Sequence, residues 1–207
     1  METAQLFWTD AAGTQRTEQG ELLFTHYGLS GPLVLDSSAD WTALLRTVSE
    51  ILVKIDCRPD QDLAAVEKMF AQAAVQQGSV QIKNVMQDVV PKRLALAMLR
   101  ICGIMPEKKI AQLAKQERRD LAALLKAFPL TVTAPVNTED AMVTAGGIAR
   151  SEINPRTMES RRVPGLYFAG EIIDGCGCSG GYNLQQAFAT GYLAAEGAVA
   201  ALPRCDS

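Results

Sequence analysis

Apolar and polar residues alternate on both sides of a central helical stretch. The segment ILVKIDC, which begins at Ile51 and is followed by Pro59, predicts a half-buried strand because its side chains have a period of two. The same period returns after Pro129. Its inward positions are Leu130, Val132, Ala134 and Val136. We therefore expect the strands before Cys57 and after Pro129 to lie in one β-rich subdomain.

Between these strands the apolar period becomes that of a helix. One helix is predicted to begin after Asp62, which can cap it, and to end at Gly78; others begin at Pro91 and Pro106. Their apolar positions are Leu63, Val66, Phe70 and Ala73, then Leu94, Met98 and Ile101, then Ile110, Leu113, Leu121, Leu124 and Phe128. The pattern predicts an inserted bundle of roughly three helices. Pro32 is expected to open a separate helix through LVLDSS.

The C-terminal part combines a short apolar run with a long helix. The run LYFAGEII predicts a fully buried strand, which would bring Gly170 and Glu171 to its carboxyl end. A final helix is predicted from about Leu184 to Leu202. Its small residues, expected to form a smooth packing face, are Ala187, Gly191, Ala195 and Ala198.

Composition narrows the class of protein. The 207 residues are 48% hydrophobic and 21% charged, with a formal net charge of −3, which is typical of a globular protein without nucleic acid as its main partner. The five cysteines are an odd number at irregular spacings, so we expect a reducing, cytoplasmic setting. No apolar run is long enough to predict a membrane span.

Basic and acidic residues alternate over 107–126, which predicts a solvated helix face.

A G-x-G-x-x-G pattern occurs at Gly175, Gly177 and Gly180. A self-contained dinucleotide site also needs a second strand that ends in an acidic residue, and the 27 residues after Gly180 read mainly as one helix. The pattern is therefore not a dinucleotide fingerprint by itself. A glycine-rich loop that leads into a helix can still bind an anion through backbone N–H groups. The alternative is a glycine-rich connection that binds no ligand.

Three longer motifs carry a family resemblance. They are GELLFTHYGLSGP, VTAGGIARSEINPRTMES and VPGLYFAGEIIDGCGCSGGYNLQQAFATG. Together they resemble the BaiN-like (aminoacetone-oxidase-like) NAD(P)/FAD-dependent oxidoreductases, flavoproteins of the two-dinucleotide-binding type. The resemblance covers nearly the whole chain but only the C-terminal half of the family's length. It implies that an N-terminal FAD-binding lobe of the same protein is a partner of this part.

The resemblance also implies a cofactor site. Gly170 and Glu171 match the strand-end pair near the ribityl–phosphate region of FAD. The residues that match the loop and helix start beside the flavin ring are Gly180, Gly181, Tyr182, Asn183 and Leu184. The implied cofactor is FAD, with NAD(P) as a candidate electron donor or acceptor and a small molecule as substrate. No metal site is implied, and no residue is singled out as catalytic.

Two other groups of side chains have alternative readings. His26, the only histidine, lies in a glycine-rich turn and is expected to have a structural role unless the insert covers the flavin. Cys176 and Cys178 form a C-x-C beside the implied flavin position. A redox dithiol is conceivable there because a helix N-terminus lowers the pKa of a thiol, but the C-x-C spacing strains a disulfide.

These observations predict an α+β chain: a barrel-like β-rich subdomain with an inserted helical bundle, then a C-terminal strand–loop–helix from an FAD lobe. The predicted parts are residues 1–58, 59–128, 129–150 and 151–207. We expect the C-terminal half of an FAD-dependent oxidoreductase, inactive alone; the alternative is a non-catalytic substrate-lid or partner-binding domain. Without neighbouring strands, the C-terminal segment is expected to be disordered, packed differently, or paired with another copy of the chain.

Overall fold

The structure is a computed structural model that describes residues 1, 3–136, 141 and 143–202. The chain forms two compact units, Met1–Pro135 and Val136–Ser207. Cys205, which counts toward the odd number of cysteines, lies outside the described residues. None of the helices in the described part is long and apolar enough to cross a membrane.

The first unit contains an antiparallel sheet with the strand order β2-β1-β5-β6 and a separate hairpin, β3-β4. The strands are β1 (Ala4–Thr9), β2 (Gln15–Gly20), β3 (Leu23–Phe24), β4 (Leu29–Ser30), β5 (Ile51–Asp56) and β6 (Phe128–Val132). The alternation in β5 is confirmed, since Ile51, Val53 and Ile55 are buried and their neighbours Leu52 and Lys54 are exposed. Over the described residues the four-stranded sheet is open, with β2 and β6 at its edges, and does not close into a barrel.

Strands from the two sides of the helical stretch lie in one sheet. Ile51 pairs with Val132, and Ile55 pairs with Phe128, so β5 and β6 are neighbours although 71 residues separate them. The alternation predicted beyond Val132 is wrong, because the strand stops there and Val136 is 70% exposed.

Five helices belong to the first unit. They are α1 (Pro32–Leu44), α2 (Leu63–Gln76), α3 (Ile82–Gln87), α4 (Lys92–Ile101) and α5 (Lys115–Lys126). Pro32 opens α1 as predicted, and Asp62 caps α2 by accepting a hydrogen bond from Ala65 N at 2.7 Å. The stretch between β5 and β6 holds four helices, one more than predicted, since the sequence pattern did not indicate the six-residue α3. The helix predicted to run on from Pro106 is replaced by a 3₁₀ turn at Ile110–Gln112 followed by α5.

One apolar core joins the sheet to these helices. Leu6, Val53 and Ile55 from the sheet are fully buried, as are Phe70 from α2 and Leu121 from α5. Burial of each such side chain stabilises the fold by about 1.5–3 kcal/mol relative to its exposure. Two predicted inward positions are wrong, since Ile101 is 59% and Leu63 44% exposed.

An ion pair joins the last residues of β5 and α5. Lys126 Nζ lies 2.5 Å from Asp56 Oδ2 and donates hydrogen bonds to the backbone carbonyls of Arg58 and Gln61. Asp56 Oδ1 accepts a hydrogen bond from Arg58 N at 2.9 Å. Cys57 is buried beside this pair, and burial, with the Asp56 charge as a second cause, raises the pKa of its thiol to about 12.

The second unit contains one long helix, α6 (Tyr182–Ala201), and two 3₁₀ turns, Arg150–Glu152 and Gly170–Ile172. The buried strand predicted for LYFAGEII does not form. Leu166 and Ile172 are 42% and 54% exposed, and the run makes only single bridges, at Tyr167 and Ile173. A buried strand needs neighbouring strands to satisfy its backbone, and no strand of the second unit's described residues supplies one. The unit therefore packs differently, around Ile153, Met158, Ile173 and Ala194.

The small-residue packing face of α6 differs from the predicted one. A Cβ built on Gly197 would lie 2.5 Å from the carbonyl oxygen of Thr157, whereas one built on Gly191 would meet open space. Ala194 is buried and Ala195 is exposed. The packed positions are Ala187, Thr190, Ala194 and Gly197. Apart from Ala187, the predicted face is offset by one residue from the observed one.

Candidate cofactor-binding site

All seven residues implied as cofactor contacts lie in the second unit, around the start of α6. Gly170 opens a 3₁₀ turn with a φ of +75°, and its N–H donates a 2.8 Å hydrogen bond to Thr190 Oγ1 on α6. Thr190 is eight residues beyond Tyr182, which corresponds to about 12 Å along the helix axis. The 3₁₀ turn is therefore fixed against the N-terminal half of α6.

Two of the motifs that carry the family resemblance meet in this unit. Ile148 N donates to the carbonyl of Ile172 at 2.8 Å, and Asp174 N donates to the carbonyl of Ile148 at 2.9 Å. At Gly147, whose φ is +130°, a Cβ would lie 2.3 Å from the same Ile172 oxygen. Only glycine allows this approach, so the backbones of VTAGGI and AGEIID lie side by side and are joined by hydrogen bonds.

The Glu171 side chain is exposed and lies at the same junction. Its Oε1 accepts a hydrogen bond from Thr144 N at 3.2 Å. Its other oxygen has no hydrogen bond to any described residue. A carboxylate in this position can accept hydrogen bonds from hydroxyl groups of a ligand.

The loop before α6 is closed by Asn183. Its Oδ1 accepts a hydrogen bond from Gly177 N at 2.8 Å, and its Nδ2 donates to the Gly177 carbonyl at 3.1 Å. Gly177 cannot carry a side chain here, because a Cβ would lie 2.9 Å from Tyr182 Cβ. The Asn183 side chain therefore shapes the loop, and its backbone N–H is the group that remains for a ligand.

Helix α6 begins without a side-chain cap. Gly180 and Gly181 have φ values of +107° and +92°, and Gly181 is the N-cap residue. A Cβ on Gly181 would meet nothing within 4 Å, so backbone conformation and room outside the chain, not internal packing, account for this glycine. The N–H groups of the first turn have no intrahelical acceptors, and the helix dipole makes this end favourable for negative charge.

Beyond this turn α6 exposes large side chains along one stripe. Leu184, Phe188 and Tyr192 recur at four-residue steps, and Phe188 is 73% exposed. Tyr192 donates a 2.7 Å hydrogen bond to Glu196 Oε1, which raises the pKa of the tyrosine. An exposed apolar stripe beside an uncapped helix start is typical of a surface that contacts another part of a protein.

The cysteines of the C-x-C are both exposed and unbonded to each other. Cys176 Sγ lies 3.4 Å from the Gly177 carbonyl and 3.9 Å from Asn183 Nδ2, so it belongs to the closed loop. In the part of the chain that the structure describes, no three His, Cys, Asp or Glu side chains group to hold a metal ion.

His26 lies in the first unit, in the turn between β3 and β4. The Thr25 hydroxyl accepts hydrogen bonds from Tyr27 N and Gly28 N and donates one to the Gly28 carbonyl, which fixes the turn. The His26 and Tyr27 rings stack with centroids 3.7 Å apart, and both residues are exposed.

Sequence comparison identifies the family. Residues 2–143 match the family described as the HI0933-like protein barrel and H2TH domain, which accounts for most of the chain. The chain belongs to the HI0933-like family.

Several relatives of this HI0933-like protein have named activities. A ribosomal RNA dihydrouridine synthase of Escherichia coli strain K12 is 36% identical over 180 residues, which cover 87% of this chain and 42% of that protein. A 3-dehydro-bile acid delta(4,6)-reductase of Clostridium scindens is 33% identical over 181 residues, 87% of this chain and 44% of that protein. A second ribosomal RNA dihydrouridine synthase, from Haemophilus influenzae, is 35% identical over 175 residues, 84% of this chain and 41% of that protein. The chain spans less than half the length of these relatives.

The comparisons support the coarse part of the resemblance found in the sequence. One relative of the chain, the bile acid reductase, is an oxidoreductase by its name. Membership of the narrower BaiN-like group stays a prediction. Sequence reasoning missed Thr190 and Thr144, which hold Gly170 and Glu171, because hydrogen bonds between distant backbone and side-chain groups leave no periodic pattern.

Proposed function

We propose that this chain is the C-terminal half of an FAD-dependent oxidoreductase. The observation that carries the proposal is the start of α6, where Gly180 and Gly181 lead into an uncapped helix with open space at Gly181. Support comes from the relative named as a reductase. Bound FAD would supply hydride transfer between an organic substrate and a nicotinamide or oxygen.

The residues of the second unit fit this cofactor in chemical character. Backbone N–H groups of Tyr182, Asn183 and Leu184 offer donors to the electron-rich pyrimidine edge of a flavin. The Glu171 carboxylate is suited to accept hydrogen bonds from ribityl hydroxyls, and it would repel phosphate. Asn183 contributes by holding the loop at Gly177 in place.

The stripe of Leu184, Phe188 and Tyr192 supports a second part of the proposal. We propose that an N-terminal FAD-binding lobe of the same protein covers this surface and completes the site. The relatives are more than twice as long as the matched region, which leaves room in a protein of their length for such a lobe. Alone, the chain would lack most of the contacts for FAD.

The names of the relatives indicate which type of reaction an enzyme of this kind could catalyse. A dihydrouridine synthase forms a base with two added hydrogens, and a delta(4,6)-reductase acts on ring double bonds. Both names describe hydrogen addition across a carbon–carbon double bond. We propose the same reaction type here, with a substrate whose double bond is conjugated to a carbonyl group and with NAD(P)H as the electron donor.

The test compares two glycine variants of the complete protein. Gly181→Val forces a β-branched residue into a positive φ, and holding the loop in that conformation for FAD would cost on the order of 1–3 kcal/mol, so we expect FAD affinity to fall by roughly 5- to 150-fold. Gly191→Ala, in the open middle of α6, is the control and should bind FAD as the wild type does. Flavin absorbance and fluorescence titrations measure both, with circular dichroism to verify folding. Full retention of FAD by folded Gly181→Val would contradict the proposed site.

A further inference from the structure

Positive charge is concentrated in one part of this acidic chain. Residues 81–120 contain nine Lys and Arg against four Asp and Glu, whereas the remaining residues contain eleven against nineteen. The stretch covers α3, α4, the connection after α4 and the first half of α5. Such segregation of charge is not needed for folding, and it attracts anionic partners.

Part of this positive charge is neutralised within the chain. Lys83 pairs with Glu107 at 3.3 Å, Lys108 with Glu117 at 2.7 Å, and Arg119 with Glu67 at 3.7 Å. Of the other two acids, Asp120 accepts a hydrogen bond from Gln116, and Asp88 ends α3. The exposed cations that make no ion pair with any described residue are Lys92, Arg93, Arg100, Lys109 and Lys115. Acidic and basic residues do alternate in part of this stretch, but after the ion pairs are formed its exposed surface carries a net positive charge.

Helix α4 presents the best-defined part of this surface. Its buried residues are Leu94, Ala95, Met98 and Leu99, which form one face. Arg93 and Arg100 are seven residues apart, so they project from nearly the same angle on the opposite, exposed face, about 10 Å apart along the axis. Lys92 precedes them at the start of the helix.

The fold itself gives no reason for these cations. Lys92 and Arg93 lie in the first turn of α4, where the helix dipole disfavours positive charge, and that turn contains no acidic residue. Lys92 and Arg93 are exposed, and the Arg100 side chain, also exposed, makes no ion pair with any described residue. Positively charged side chains whose position is unfavourable for the helix itself are expected where the protein binds an anion.

A shallow apolar concavity adjoins Arg100. Leu96, Ile104 and Met105 line it together with Arg100 itself, and Met105 is 71% exposed. Single-stranded RNA presents phosphates at regular steps and unstacked bases beside them, so arginines next to an apolar hollow match its chemistry.

We propose that the exposed face of α4, defined by Lys92, Arg93 and Arg100, binds the phosphate backbone of RNA. Two relatives named for activity on ribosomal RNA make RNA the favoured polyanion over an acidic protein segment. This interaction surface is separate from the cofactor site proposed above. Its test needs no flavin, so the two proposals fail independently.

The experiment measures binding of the purified chain to a fluorescently labelled, mixed-sequence single-stranded RNA over a range of salt concentrations. The test variant is Arg93→Ala/Arg100→Ala, which leaves the core of α4 intact. The control is Arg46→Ala/Lys68→Ala, which removes two exposed, unpaired cations outside the basic stretch. Thermal unfolding verifies that both variants fold.

We expect the test variant to bind at least about tenfold more weakly at low salt, and the slope of log affinity against log salt to fall by about 1.4, since each single-strand phosphate contact contributes ~0.7. The control should bind as the wild type. The proposal is overturned if the wild type does not bind RNA, if both double variants lose affinity equally, or if the test variant binds unchanged. Competition by poly-glutamate as effective as by unlabelled RNA would also overturn it, in favour of an acidic protein partner.

Discussion

The Lys126 ammonium lies 2.5 Å from the Asp56 carboxylate, so the C-terminal end of α5 is tied to the end of β5. The same ammonium donates to two backbone carbonyls of the loop that follows β5. The connection between sheet and helices in the first unit is thus electrostatic at this corner as well as apolar.

Removal of this ammonium should weaken the first unit strongly. We expect Lys126→Met to lower the free energy of unfolding by about 3–5 kcal/mol, because the buried Asp56 carboxylate would lose its partner. Urea denaturation followed by circular dichroism measures the change. Arg16→Ala, which breaks the more exposed pair with Asp10, serves as the control and should cost less than about 1 kcal/mol. Equal losses in the two variants would contradict the importance of the buried pair.

A methyl group at Gly197 should disturb the second unit. Gly197→Ala would place Cβ against the Thr157 backbone, and overpacking of this kind costs about 1–3 kcal/mol. Hydrogen exchange of the amides in α6 should therefore become faster. The same change at Gly191, where there is open space, should leave exchange unchanged or slower because alanine favours a helix. Identical exchange in both variants would count against the packing described here.

Acid should abolish the contribution of Glu117. The hydrogen bond from Lys108, followed by that from the Ala114 N–H, lowers the pKa of this carboxyl below its ordinary value of 4.5. A lowered pKa contributes stability that is present above the unfolded value and is lost as the pH falls through the folded one. We expect Glu117→Gln to be less stable than the wild type at neutral pH; the difference should begin to shrink as the pH falls through 4.5 and vanish only below the lowered folded pKa. Thermal unfolding of the wild type and the variant across this pH range measures the difference, and a difference that does not change with pH would contradict the role of the Glu117 carboxylate.

The cysteines should differ in reactivity. Cys57 is buried and its thiol pKa is raised to about 12, whereas Cys176 and Cys178 are exposed. At mildly alkaline pH, iodoacetamide should modify Cys176 and Cys178 long before Cys57, because the thiolate is the reactive form. Peptide mass spectrometry of timed samples measures the order. Early labelling of Cys57 in the folded chain would show that its environment is more open than described.

The elements predicted correctly are those whose pattern is local. Strand β5 alternates because one face lies on the core, and α2 begins where Asp62 can cap it. LYFAGEII has the composition of a buried strand, but the described residues of its unit contain no adjacent strand, and composition does not reveal that. The six-residue α3 is too short to show a period.

In the candidate site, too, the features with a local sequence pattern could be predicted and the contacts between distant residues could not. Gly180 and Gly181 stand out in the sequence because a glycine pair before a helical pattern has a local conformational meaning. The hydrogen bonds that join Asn183 to Gly177 and Gly170 to Thr190 depend on how the loop folds back. No periodicity or propensity encodes such contacts, so only the structure reveals them.

The open sheet of the first unit has two edges that discourage aggregation. Along β2, the five residues Gln15–Gln19 are all polar and exposed, with Arg16 and Glu18 among them. In β6, Pro129 removes one N–H from the other edge. Charged edges and edge prolines prevent a foreign strand from adding to a sheet. At high concentration this unit should therefore resist fibril growth through edge-to-edge pairing of β2 or β6.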